Sequence, residues 1–173
     1  MTTRQAVAAA LVTSSLLMGG PAARANDQVG GVCVPDAATI RAGGYETRGF
    51  GIGFTGSSTG KIRLLCPLQV TGDMIGRKVG ITFLGVIDDD GMQGGAQVRA
   101  IFRRAALASN VAITLGTCDS NTSSFPGPHN VSCSFPGYAL KINEEYWWDV
   151  SIERTNPRVN VEFLSIGIRG AAQ

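Results

Sequence analysis

The chain has 173 residues, 44% of them hydrophobic, with 15 basic and 13 acidic side chains and a formal net charge of +2. That length is enough for one domain around one hydrophobic core. A nearly neutral chain without a basic stripe offers no footprint for a phosphate backbone or an anionic membrane surface, so nucleic acid is excluded as a partner.

Residues 1–25 read as an export signal. Arg4 supplies a positive end, Ala6 to Met18 is an uncharged apolar run, and Gly19-Gly20-Pro21 breaks it before Ala23-Arg24-Ala25, an A-x-A cleavage signal. Cleavage is predicted after Ala25, leaving 26–173 as a single β-sandwich domain. Loss of Arg4 and Arg24 brings the 15 basic residues down to 13, equal to the 13 acidic ones. Beyond the signal, no apolar stretch approaches the roughly 20 residues of a spanning helix. Gly30-Gly31-Val32 before Cys33 is a poor lipidation site, so no membrane anchor is expected. The predicted location is secreted or periplasmic, where disulfides persist.

Four cysteines allow three pairings, and Cys33–Cys66 with Cys118–Cys133 is the one expected. The second pair flanks a Ser-, Asn-, Pro- and Gly-rich segment that a staple would fix. A zinc site would need short C-x₂₋₄-C spacings, and none is present.

From Asn26 to Val32 the composition predicts a flexible lead-in. Arg48 to Thr55 alternates strictly, Phe50, Ile52 and Phe54 against glycines, which predicts a strand with a close neighbour on the glycine face. A turn at Gly56–Gly60 leads to a strand over 61–70, with Pro67 marking an edge or bulge. The β-branched run 78–87 predicts a strand ending in the turn Asp88-Asp89-Asp90-Gly91. Residues 97–107 alternate as a strand, with Arg99, Arg103 and Arg104 read as edge charge, although 105–108 also suits a helical turn. Strands follow at 110–117 and 130–135. Glu145 to Arg154 puts Tyr146, Trp148, Val150 and Ile152 on one face and Trp147, Asp149, Ser151 and Glu153 on the other. In 159–169 the apolar set changes phase near Phe163–Leu164, which predicts a bulge. About eight strands with turns every 8–14 residues or so predict an all-β fold, an antiparallel β-sandwich or jelly roll.

Candidate chemistry is sparse. Asp88 and Asp90, with carbonyls from Gly94 or Gly95, suit a calcium ion, and a solvated hairpin turn is the alternative. An EF-hand is excluded because Met92 and the downstream spacing do not fit. Trp147, flanked by Asp149 and Glu153, is the candidate ligand face, since a flat indole covers the apolar face of a sugar while acids accept from its hydroxyls. The alternative is a Trp147 packed beneath a loop. His129 between Cys118 and Cys133 could serve a Cys–His nucleophile only if those thiols were free.

Cys33-Val34-Pro35, the stretch Gly60-Lys-Ile-Arg-Leu-Leu-Cys-Pro67, the run Asp88-Asp89-Asp90-Gly91 leading to Val98-Arg99-Ala100, and Tyr146-Trp147 followed by Ile152-Glu153-Arg154 resemble uncharacterised small secreted bacterial β-domain proteins. The resemblance spans most of 26–173. It implies a compact β domain with Cys33 paired to Cys66, and it implies no catalytic residue. The function expected is a secreted, non-catalytic binding or structural domain of the cell envelope, contacting a glycan or an envelope protein. The competing expectation is a small extracellular hydrolase using two of Glu145, Asp149 and Glu153. No cofactor is expected apart from calcium at Asp88 and Asp90.

Overall fold

The structure, a computed structural model, describes residues 26–29, 33–49, 51–109 and 111–170. The export signal read at 1–25 and the side chain of Phe50 lie outside the described residues. Among these, eleven strands and one short helix are found: β1 (Asn26–Val29), β2 (Val34–Pro35), α1 (Ala37–Ala42), β3 (Tyr45–Arg48), β4 (Gly51–Phe54), β5 (Gly60–Pro67), β6 (Lys78–Asp88), β7 (Ala96–Ala106), β8 (Ile113–Asp119), β9 (Gly127–Ala139), β10 (Glu144–Arg154) and β11 (Val161–Gly170). No helix among them is long and apolar enough to cross a membrane.

Two antiparallel sheets face each other. One runs β3-β4-β11-β6-β9, and the other runs β2-β5-β10-β7-β8. Eight of these strands, β4-β11-β6-β9 over β5-β10-β7-β8, give the jelly-roll order, in which the chain crosses between sheets at most connections. The other three are additions at the margins. β1 pairs with residues 165–168 of β11, so the lead-in expected to be flexible is an ordered strand over 26–29.

Alternation decides which side chains meet between the sheets. On β10, Tyr146, Trp148, Val150 and Ile152 are buried, and Trp147, Asp149, Ser151 and Glu153 turn outward. Phe102 of β7 stacks among Trp148, Tyr146 and Phe135, its ring 5.0 Å from the Trp148 indole. The glycine face of β4 does have a close neighbour. A Cβ at Gly53 would stand 2.7 Å from the Glu162 side chain and 3.1 Å from the Val161 carbonyl. The phase change in β11 is a register shift between Phe163 and Ser165 against β6. β7 is not an edge strand, because it lies between β10 and β8. Its arginines instead make ion pairs, Arg103 with Asp149, Arg104 with Glu144 and Arg99 with Asp119.

Both expected disulfides are present, Cys33–Cys66 and Cys118–Cys133. The first fastens the chain entering β2 to β5. The second joins β8 to β9, the last strands of the two sheets, and so closes one side of the sandwich.

Candidate functional site

One end of the sandwich carries an open cleft of about 800 Å³. The end of β5, the start of β10, the segment 68–75 and the turn 141–142 enclose it. Main-chain bonds hold those loops in place. Leu68 N donates to Tyr146 O (2.9 Å), Gly76 N to Leu140 O (2.8 Å) and Leu140 N to Arg77 O (3.2 Å). The walls are largely aliphatic, with Leu65, Val70, Ile75 and Ile142 among them, and Ile142 is 83% exposed. Lys141 and Glu145 stand exposed at its rim.

Trp147 lines this cleft because strand alternation turns it outward next to Pro67 of β5 and Arg103 of β7. It is half-buried. Its Nε1 donates to Asp149 Oδ1 at 3.1 Å, and Asp149 is itself ion-paired with Arg103. A ring tethered at its nitrogen presents one orientation to a ligand, which lowers the entropy lost on binding.

Glu144 and Tyr146 line the same cleft and belong to a polar cluster whose other members, Tyr138 and Arg104, sequence reasoning did not bring together with them. The Glu144 carboxylate, nearly buried, accepts from Tyr146 Oη (2.6 Å), Tyr138 Oη (2.7 Å) and Arg104 Nη1 (2.6 Å), with Lys141 Nζ at 3.7 Å. Burial pushes its pKa up, but the two tyrosine hydroxyls and the cations outweigh that and hold it below the ordinary range. Burial and the Glu144 carboxylate together push the Tyr146 phenol well above its usual value. The acid is thus a structural acceptor, and the Tyr146 oxygen in turn accepts from Lys141 N at 2.9 Å.

The remaining predicted residues are dispersed. Glu153 ion-pairs with Lys61, and it lies six residues, about 20 Å, along β10 from Trp147. Glu145, Asp149 and Glu153 follow one another at four-residue intervals, about 13 Å along an extended strand. A glycosidase pair needs carboxyls about 5–10 Å apart, and here Asp149 and Glu153 are each engaged by a cation, Arg103 and Lys61. The thiolate of a Cys–His nucleophile is absent, because Cys118 and Cys133 are bonded to each other. His129 Nδ1 instead contacts Gly127 O at 2.8 Å.

Asp88 and Asp90 sit at the opposite end, where β6 finishes. Asp88 is fully buried, and its Oδ2 accepts from Ser120 Oγ at 2.7 Å. Burial pushes its pKa up to about 6; the Ser120 hydroxyl opposes that rise and the neighbouring Asp90 carboxyl adds to it. Asp90 Oδ2 accepts from Gly95 N at 2.5 Å. The Gly94 carbonyl accepts from Thr155 Oγ1, and the Gly95 carbonyl accepts from the main-chain nitrogens of Thr155 and Asn156.

Fold and cleft together define a jelly-roll β-sandwich with a largely aliphatic cleft, lined by Trp147, at one end. No family model matches the chain, and no curated protein matches it in sequence. Among solved structures it is similar to Eiger TNF from S. frugiperda (13% identity, 57% of this chain, TM-score 0.32), and it spans 62% of that protein's length. It is also similar to murine APRIL (12% identity, 87% of this chain and 100% of that one, TM-score 0.36). A third is TmCBM61 in complex with β-1,4-galactotriose (11% identity, 86% and 88%, TM-score 0.37). Likenesses this distant leave function to be read from the chain's own residues.

Proposed function

We propose that this protein is an exported, non-catalytic binding domain that takes a sugar unit of an envelope glycan against Trp147. The observation that carries this reading is the tethered Trp147 indole facing an open cleft. Its face and the aliphatic walls suit the apolar face of a pyranose. Lys141 and Glu145 at the rim supply a donor and an acceptor for hydroxyls. Two disulfides support a site of action outside the cytoplasm, as does the signal read at residues 1–25.

A second reading has one observation in its favour. The walls are mostly aliphatic, which suits an apolar side chain of an envelope protein as well as a sugar.

Glycan-array binding of the oxidised protein tests the first reading. Binding that disappears in Trp147→Ala, with the fold retained, is the expected result. No binding to any glycan would sink the sugar reading and transfer the site to a protein partner.

A further inference from the structure

We propose that the sugar taken against Trp147 is an amino sugar with a free amine, whose ammonium group pairs with Glu145. The inference rests on the reading of the cleft as a glycan site and adds the substrate class to it. Glu145 lines the cleft and is exposed at its rim. It stands two residues from Trp147 on the same outward face of β10, about 6.5–7 Å along the strand. A sugar lying on the indole therefore presents a ring substituent to this carboxylate.

Charge pairing along β10 singles Glu145 out. The strand carries four carboxylates. Asp149 is ion-paired with Arg103, Glu153 with Lys61 and Glu144 with Arg104. Glu145 pairs with no lysine, arginine or histidine among the described residues. Its ladder partner on β7 is Ala105, which brings no charge. Lys141 also lines the cleft, but its Nζ lies 3.7 Å from Glu144 Oε1 and 5.5 Å from the centre of the Tyr138 ring. The cleft thus sets one carboxylate without a counter-ion beside one aromatic face. Both favour a cation, the carboxylate by a charge-assisted hydrogen bond and the indole through its quadrupole. A neutral hydroxyl would use Glu145 only as an acceptor, whereas an ammonium uses its charge as well. An acidic sugar would bring a like charge up to Glu145 and be repelled.

The test is calorimetric binding of the oxidised protein, at about pH 6 where the amine carries its proton, to β-1,4-linked tetramers of glucosamine, N-acetylglucosamine and glucose. The glucosamine tetramer should bind about tenfold more tightly than the other two, the worth of one exposed ion pair with a cation–π contact. Glu145→Gln, an isosteric change at an exposed position, should bring the three to within about twofold of one another. Trp147→Ala should abolish binding of all three. Equal binding of the three tetramers by the parent would overturn the proposal and leave the glycan reading standing. A preference for the amine that persists in Glu145→Gln would place the ammonium elsewhere and overturn it too. If none of the three binds while other sugars on a glycan array do, this proposal alone is overturned; a silent array overturns both.

Discussion

Glu144 is a residue at which burial and hydrogen bonding pull in opposite directions, and hydrogen bonding wins. Its folded-state pKa is depressed, so the stability it contributes is present above the unfolded value. That stability is lost as pH falls through the folded one, below about 4.5. Glu144→Gln should therefore flatten the acid limb of a Tm-against-pH curve. At pH 7 it should also cost about 1–3 kcal/mol by denaturant titration, because Arg104 and two tyrosine hydroxyls lose a charged acceptor. Asp149 acts at the same scale through the indole it holds. Asp149→Ala should leave the melt nearly unchanged and weaken binding of a glycan found on the array by about tenfold, the factor that ~1.4 kcal/mol represents. Arg154 is buried and donates to the carbonyls of Gly56 and Ser58, with its guanidinium 4.9 Å from the Phe54 ring. The fold thus uses a charged side chain to fix the turn between β4 and β5.

Among the elements, β10 and β4 show two different uses of alternation. β10 separates an apolar face from a polar one, which is why its inner and outer sets were legible in the sequence. β4 is buried on both faces, and its glycines exist to admit the Glu162 side chain and the main chain of β11. Gly53→Val should cost about 1–3 kcal/mol, because the Val161 carbonyl cannot move aside as a flexible side chain would. A lowered denaturant midpoint at constant m-value checks it. The elements missed by sequence reading, α1, β1, β2 and β3, are six residues or fewer. Such pieces show no period. α1 exists because Asp36 caps it, accepting from Thr39 N at 2.7 Å, while the Thr39 hydroxyl accepts from Arg63 N of β5 at 2.8 Å. Its main anchor is therefore a tertiary contact.

At the scale of the whole molecule, the Cys118–Cys133 bond spans the two sheets where they are joined by no ladder. Replacing both cysteines with alanine should cost about 2–5 kcal/mol, read as a lowered Tm under non-reducing conditions. The cleft and the Asp88–Asp90 pair lie at opposite ends, separated by the eleven residues of β6, about 33 Å along an extended strand.

The sequence by itself determined the class of fold, the outward face of β10 with Trp147 on it, the bulge in β11 and the Cys118–Cys133 pair. These follow from period-2 patterning and from loop composition, which are local properties of the chain. Only the tertiary structure decided the strand order, the burial of Glu144 and Asp88, and the cleft. A carboxylate at a strand end reads as solvated until another element covers it. Ser120 reaches Asp88 from 32 residues away, and Arg104 reaches Glu144 from 40. The cleft is likewise shaped by segments 68–75 and 141–142, which adjacent strands bring together and which carry no common motif.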